Sequence, residues 1–139
     1  MIKQLSVFVE NQTGSVYNVT NALSDAGINI RAVASFDTPD FAIFRLVVDK
    51  VQEAKDYLTS KGFVVRIHEV IGVELEDKQG TLNAMLKILA DNEISLNYIY
   101  SFIIREGKAP VMVFSTDMVE KAIEAMQREN VKIIEEADL

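Results

Sequence analysis

Two short polar turns in this chain contain residue types that could bind a small charged molecule. The first is Asn11-Gln12-Thr13-Gly14-Ser15, and the second, sixty-six residues later, is Asp77-Lys78-Gln79-Gly80-Thr81. The glycine in each turn lets the backbone approach a ligand closely. A helix is predicted to follow each turn, and the unpaired N–H groups at a helix start favour a carboxylate. The chemistry predicted for both turns is therefore the binding of an anionic group.

Side chains near the turns extend this prediction to a ligand that carries both charges. Asn11 and Asn29 can donate and accept hydrogen bonds, which suits a zwitterion with an ammonium and a carboxylate group. Asp77 could offset the ammonium group in the second turn. A purely structural interpretation stays open for each residue. Asn11 could form only an Asx turn, Asp77 could be a solvated turn acid, and Gly14 and Gly80 could be tight turns alone.

The two turns belong to a longer unit that occurs twice in the chain. At an offset of 66 residues Leu23 matches Leu89, and at an offset of 68 Asp49 matches Asp117. A two-residue insertion near Arg105-Glu106-Gly107 accounts for the change of offset. Self-similarity over most of the length indicates two copies of one structural unit.

The pattern of each copy predicts the order β-α-β-β-α-β. In the first copy, Ile2 to Glu10 and Ile28 to Phe36 alternate like strands. Ser15 to Ala26 has apolar residues at helical spacing, and Gly27 is predicted to end this helix just past its last residue. This order predicts an α+β fold, the ferredoxin-like sandwich with a four-stranded antiparallel sheet, two helices on one face and strand order 4-1-3-2. We predict two such domains in tandem, residues 1–69 and 70–139, joined without a linker.

Three features are predicted for the second copy in particular. Its second strand is expected over Ile94 to Ile104, followed by a turn at Glu106-Gly107-Lys108. The acidic tail, Glu135-Glu136-Ala137-Asp138-Leu139, is expected to fray.

Composition disfavours several classes of function. The net charge of −7 and the pI of about 4.7 argue against nucleic acid and anionic membranes as partners, which both need basic patches. The chain contains no cysteine, which excludes disulfides and thiolate metal sites. We see no signal peptide at the start and no apolar run long enough to span a membrane, and we expect a cytoplasmic protein.

The spacing of reactive residue types gives no support for catalysis or for a bound metal. His68 is the only histidine, and no nucleophile or second ligand is placed with it, so we interpret it as a surface or interface residue. Some ferredoxin-like domains hydrolyse acyl phosphates, but no phosphate cradle ending in a placed arginine is evident here. We therefore predict a protein that is not an enzyme and that uses no cofactor.

The repeated turn-helix-strand boundary resembles that of the ACT domain, a small regulatory module that binds amino acids. ACT domains commonly have an Asp-Arg-Pro-Gly-like turn and a helix that ends in Gly-Val or Gly-Ile followed by Asn-Ile. Copy one has Asn11-Gln12-Thr13-Gly14 and Ala26-Gly27-Ile28-Asn29-Ile30, whereas copy two has Asp77-Lys78-Gln79-Gly80 and Asn92-Glu93-Ile94-Ser95-Leu96. Both turns lack the proline, and copy two also lacks the glycine and the first asparagine after its helix.

The resemblance implies an amino-acid ligand between two ACT units, within one chain or across a homodimer, and of these we expect a homodimer with C₂ symmetry. It also implies regulation of a separate metabolic enzyme or regulator. The alternative that we keep is a structural module that pairs through sheet edges and binds no ligand. Carried over by position, the ligand-binding residues are Asn11, Gln12, Thr13, Gly14, Ser15 and Asn29 in copy one, and Asp77, Lys78, Gln79, Gly80, Thr81 and Ser95 in copy two. Copy one keeps both amides and is the better candidate of the two.

Overall fold

The computed structural model describes residues 1–101 and 107–139 of the chain. Residues 3–69 form one compact unit, and residues 1–2 together with residues 70–139 form another. The elements are β1 (Ile2–Glu10), α1 (Ser15–Asp25), β2 (Ile30–Asp37), β3 (Phe41–Val48), α2 (Val51–Ser60), β4 (Val64–Glu74), α3 (Thr81–Asp91), β5 (Tyr98–Ser101), β6 (Val111–Ser115), α4 (Val119–Arg128), β7 (Lys132–Ile134) and a 3₁₀ helix (Glu136–Asp138). The predicted β-α-β-β-α-β order of each copy is confirmed.

The sheet of the 3–69 unit has the strand order β4-β1-β3-β2. β3 pairs antiparallel with β1 and with β2, and it places Leu46 opposite Leu5 and Arg45 opposite Ala34. Numbered within the copy, this is the predicted order 4-1-3-2, which right-handed crossovers through α1 and α2 produce.

The sheet of the other unit repeats this order with β7-β4-β6-β5. β4 pairs antiparallel with both β6 and β7, and β6 pairs antiparallel with β5. β4 is one continuous strand from Val64 to Glu74, and the division between the units falls within it, after Glu69. The predicted passage from one copy to the next without a linker is therefore confirmed.

Part of the predicted second copy lies outside the described residues. Of the strand expected over Ile94 to Ile104, the structure has β5 from Tyr98 to Ser101. The strand therefore begins four residues later than its apolar pattern predicted, because Ser95 and Asn97 are held instead by hydrogen bonds to Thr116 and Ser115. Residues 102–106, which include the start of the expected turn, are outside the described ranges.

Each unit has its own apolar core. In the first unit every second residue of β1, Leu5, Val7 and Val9, is buried against helix residues such as Leu23 and Leu58. The second core is built in the same way from the corresponding elements, and its largest members are Ile71, Met85, Leu89, Phe114 and Met126. Burial of one such side chain contributes about 1.5–3 kcal/mol.

The first helix of each unit ends in the same hydrogen-bonded turn. In α1 the N–H of Gly27 donates to Ser24 O (3.0 Å) and that of Ile28 to Leu23 O (3.0 Å), which is a Schellman motif. In α3 the N–H of Glu93 donates to Ala90 O at the same 3.0 Å. The predicted role of Gly27 just past the helix is confirmed, with φ of 68°. Glu93, in its place, takes φ of 55° although it is not glycine.

Ile2 packs into the second unit, although it is the first residue of β1. Its side chain is fully buried, and the unit that contains it also contains Gly72 and Ile134. A Cβ atom added to Gly72 would lie 2.3 Å from Ile2 Cδ1 and 3.6 Å from Ile134 Cβ. Glycine at position 72 therefore makes room for the end of the Ile2 side chain, which would have to shift if a Cβ were added.

The acidic tail forms a 3₁₀ helix, so the prediction that it frays is wrong. The N–H of Glu135 donates to Asp138 Oδ2 (2.9 Å), and in return the Glu135 side chain accepts a hydrogen bond from the N–H of Asp138. The N–H of Asp138 also donates to the backbone oxygen of Glu135 (2.9 Å). This capping box satisfies backbone groups that a frayed tail would leave to water, which is why the short turn forms.

Candidate functional site

The glycines in the two candidate turns have the same backbone conformation. Gly14 has φ 86° and ψ −7° as the N-cap of α1, and Gly80 has φ 87° and ψ −6° as the N-cap of α3. A positive φ is unstrained for glycine, which explains this residue at both positions. Within the residues that the structure describes, no side-chain hydrogen bond caps either helix start.

The side chains of the first turn are engaged in holding the loop. Asn11 Nδ2 donates to Thr38 O (2.8 Å), and the backbone N–H of Asn11 donates to Asp40 O (3.4 Å). Gln12 Nε2 donates to Glu10 Oε2 (2.8 Å). Asn11 thus ties the β1–α1 turn to the β2–β3 turn, and none of the described residues donates a hydrogen bond to its side-chain oxygen.

The remaining predicted residues of copy one are Thr13, Ser15 and Asn29. Thr13 is exposed, and Ser15 is half-buried at the start of α1. The Asn29 backbone N–H donates to Asp49 Oδ1 (3.0 Å), and the Asp49 N–H donates to Asn29 O (3.2 Å). Among the described residues no hydrogen bond joins Asn29 to the Asn11–Ser15 turn. Asn29 is therefore fixed by Asp49, with its side chain exposed.

The second turn has the same backbone but different side-chain contacts. Lys78 forms an ion pair with Glu76, and Thr81 Oγ1 donates to Lys78 O (2.8 Å). The hydrogen bond from Lys78 and its positive charge hold the pKa of Glu76 below its usual value. Asp77 and Gln79 are exposed, as is Ser95, whose carbonyl accepts a hydrogen bond from Thr116 Oγ1 (2.7 Å).

A cleft of about 830 Å³ adjoins this second turn, within the unit that contains residues 70–139. The predicted residues Lys78, Gln79, Gly80 and Thr81 line it, and Asp77 and Ser95 are not among its lining residues. One face of α3 forms a wall, and the segment that joins α4 to β7 forms another. The apolar lining side chains are Leu75, Ala84, Met85, Ile88, Ala109 and Val131. The structure therefore brings most of the predicted second turn to one cavity.

Sequence reasoning missed the far wall of this cleft, which includes Glu129 and Val131. The signal that could have found it is a comparison of the copies. At the offset of 68 residues, Val131 takes the place of Phe63, and Ala125 takes the place of Tyr57. Phe63 and Tyr57 pack against the core of the first unit. Of the two smaller residues in the second unit, Val131 lines the cleft and Ala125 lies in the core.

The described residues give no sign of a metal centre or a membrane helix. Within residues 1–101 and 107–139, no three histidine or acidic side chains are close enough to hold a metal ion. His68 lies exposed on β4, where we predicted a surface residue. No helix in the described ranges is long and apolar enough to cross a membrane.

Comparison with known proteins identifies the family. The model of the ACT domain pair matches residues 1–139. The fold is similar to that of protein BT0572 from Bacteroides thetaiotaomicron, with a TM-score of 0.89 and 28% sequence identity over 99% of this chain and 94% of that one. It is also similar to the regulatory subunit of aspartate kinase from Thermus thermophilus in its ligand-free form, with a TM-score of 0.61 and 16% identity over 91% of each chain. The comparison with curated proteins gave no match. Because the family model covers the full sequence, this chain belongs to the ACT domain pair family.

Proposed function

We propose that this chain is a non-catalytic regulatory protein that binds a free amino acid through its strand-to-helix turns. Its two ACT-like domains would be residues 1–69 and 70–139. Membership of the ACT domain pair family supports a regulatory role, because the ACT domain is an amino-acid-binding module. The likeness to a regulatory subunit of aspartate kinase supports the same fold only.

The observation that carries this proposal is the shared geometry of the two glycine turns. Gly14 and Gly80 agree within 1° in φ and ψ, and no side chain of residues 1–101 or 107–139 caps the helix that follows. The helix N–H groups and the helix dipole favour the carboxylate of a ligand at this place. In copy one, the oxygen of Asn11 is suited to the ammonium group. Asn29 lies beyond the other end of α1, so it would contact a ligand from the second ACT unit that the resemblance implies.

Several parts of the proposal rest on the resemblance alone and stay predictions. These are the position of the ligand between ACT units, a homodimeric assembly, a cytoplasmic location and a separate enzyme or regulator as the partner. A ligand that binds one packing of the units better than another would shift the populations, which is how binding could regulate such a partner.

A thermal-shift screen of the full chain against the twenty amino acids tests the proposal. A ligand at 100 times its Kd stabilises by about 2.7 kcal/mol, which raises Tm by several degrees. Asn29→Ala should remove the part of the shift that copy one contributes. Asn21→Ala, an exposed change on α1, is the matched control and should leave the shift intact. If none of the twenty amino acids shifts Tm at millimolar concentration, the proposed function is wrong.

A second candidate function is pairing through sheet edges without a ligand. β2 is the last strand in its sheet order and pairs only with β3 in the described part of the chain. Val33 on this strand has 43% of its surface exposed, which is unusual for an edge that must stay soluble. Sedimentation analysis that shows a tight dimer, together with a flat amino-acid screen, would favour this function over the first.

A further inference from the structure

We propose that the cleft of the second unit binds a diamino carboxylic acid, such as lysine or ornithine, whose aliphatic chain ends in a second ammonium group. This inference rests on the proposed function, because it names the class of amino acid at one of the two sites. The proposed occupant of the cleft between α3 and the α4–β7 segment is a small free ligand. The argument uses the shape of the cleft, its apolar lining and its charges.

The apolar lining suits a long aliphatic chain. Met85 and Ile88 lie one turn apart on α3, and Leu75 and Val131 belong to other walls of the same cleft. Met85 and Leu75 are almost fully buried, at 1% and 7% exposure, so the half-buried side chains of Ile88 and Val131 supply the apolar surface that a ligand could contact. A volume of about 830 Å³ is within the range of small-molecule sites and leaves room for an extended side chain.

The charged residues around the cleft leave one carboxylate without a partner. Each lysine among the described lining residues has an acid of its own: Lys78 pairs with Glu76, Lys87 with Asp91, and Lys132 with Glu74, the last at 3.1 Å.

Glu129 is the fourth lining acid, and it forms no ion pair within the part of the chain that the structure describes. The hydrogen bond and charge of Asp91 are the main reasons that the pKa of Lys87 is raised, and the charge of Glu129 adds to them from farther away.

The charges of the lining residues indicate the charge that a ligand should carry. Four acids and three lysines give the described lining a net charge of −1. A zwitterionic amino acid with an uncharged side chain is neutral, so it would leave this charge uncompensated. A diamino acid adds one positive charge, and its terminal ammonium could reach Glu129 while its methylene groups cover Ile88 and Val131. Charge complementarity therefore favours the diamino acid over an aliphatic amino acid of the same length.

Titration calorimetry with L-lysine and L-norleucine tests the inference on the full chain. The two ligands have the same carbon chain, and norleucine lacks only the terminal ammonium. We expect lysine to bind the wild-type protein about three- to tenfold more tightly, the range for one charge-assisted contact in a partly open site. Glu129→Gln should remove this preference. Glu124→Gln, an exposed acid on α4 outside the cleft, should keep it.

A second variant tests the cleft itself. Val131→Phe places the residue of the equivalent position, Phe63, in the far wall and should weaken lysine binding at least tenfold. Circular dichroism checks that Val131→Phe is folded. If it is not folded, the surface change Glu129→Gln still tests the proposed ligand.

The outcomes separate this inference from the proposed function. Equal binding of norleucine and lysine, or a lysine preference that survives Glu129→Gln, overturns the diamino acid while leaving an amino-acid sensor. A flat screen against all twenty amino acids overturns the sensor itself. Binding of cadaverine, which lacks the carboxylate, as tightly as lysine would also overturn the inference, because the site would then recognise amines and not amino acids.

Discussion

The turn at Gly14 and the turn at Gly80 have one backbone and two different sets of side-chain contacts. At Gly14, the side-chain amide of Asn11 donates a hydrogen bond to the neighbouring Thr38 carbonyl, so one polar side chain of the turn holds the loop in place. At Gly80, Lys78 pairs with Glu76 next to an open cleft. The glycine preserves the geometry in both copies, and the residues around it are free to change what can be bound.

The helix ends show that a shared backbone can also be kept against local preference. Gly27 and Glu93 close α1 and α3 with equivalent hydrogen bonds, and both have a positive φ. The left-handed region is unstrained for glycine and unfavourable for glutamate. Tertiary packing of the second unit therefore imposes a turn that its own sequence does not favour. The difference teaches that similarity of residues underestimates the similarity of the two structures.

The largest effects should come from matched deletions in the two cores. Leu23→Ala and Leu89→Ala are equivalent changes, at 0% and 2% exposure, and each should destabilise its own unit by about 2–5 kcal/mol. Hydrogen exchange followed by mass spectrometry would locate the loss of protection. Leu23→Ala should affect residues 3–69 most, and Leu89→Ala should affect residues 70–139 most. Equal loss of protection in both units from either change would contradict the description of two separate cores.

An alanine at position 72 should lower the free energy of unfolding by about 1–3 kcal/mol, which is the cost of overpacking a core. Gly72→Ala forces a Cβ against Ile2 Cδ1, whereas the equivalent residue of the first copy, Ser6, already carries a Cβ. We expect a lower urea midpoint for Gly72→Ala and a much smaller change for Ser6→Ala.

The double variant Gly72→Ala with Ile2→Val is the control for this interpretation. Valine lacks the Cδ1 atom, so the second change should recover part of the loss, and a double-mutant cycle would show a coupling of the two positions. Simple addition of the two effects would mean that the close approach is relieved in some other way.

Glu93→Gly should make the second unit more like the first and stabilise it by about 0.5–1 kcal/mol. The gain is the relief of the left-handed conformation at φ 55°, reduced by the greater freedom of glycine in the unfolded chain. Thermal unfolding with matched Glu124→Gly as control would measure it. The control lies inside α4, where glycine should be destabilising by about 1 kcal/mol. A lower Tm for Glu93→Gly would show that the glutamate side chain has a stabilising role of its own.

The smallest effect concerns the charge pair that only the second turn has. Because Lys78 lowers the pKa of Glu76 from 4.5, the stabilisation by this pair is present above pH 4.5 and is lost as the pH falls through the lower, folded pKa. Both groups are exposed, so the change in unfolding free energy should be slight. An NMR titration should show the pKa of Glu76 return toward 4.5 in Lys78→Gln. This variant has the uncharged residue that the first turn has at the equivalent position, Gln12. If the pKa of Glu76 is unchanged in Lys78→Gln, the pair of Glu76 and Lys78 does not distinguish the two turns.

Most of the fold could be predicted from the sequence, because the signals that define it are local and occur twice. Alternation in β1, helical spacing in α1 and the glycine at position 27 each predicted an element or its end. The predictions failed where long-range contacts decide the outcome. The late start of β5 and the 3₁₀ helix of the tail depend on hydrogen bonds to residues that no local pattern identifies.

The candidate site could be predicted only in part, for a related physical reason. The two turns can be found in the sequence by their glycines, and both glycines have the positive φ that this residue type indicates. The engagement of Asn11 by Thr38 is a contact across 27 residues, and the cleft beside α3 depends on Val131 at the other end of the unit. Cavities are formed by what is small or missing at distant positions, so residue types near the turn give no sign of them.

The burial of Ile2 beside Gly72 has a practical consequence for dissecting the chain into halves. A fragment that starts at residue 70 follows the repeat but loses Ile2, and the space between Gly72 and Ile134 would be left empty or filled with water. Losing an isoleucine from a fully buried position costs about 2–5 kcal/mol, a large part of the stability of a domain this small. Recombinant expression of the second half should therefore give soluble material only when a hydrophobic residue is supplied to that gap.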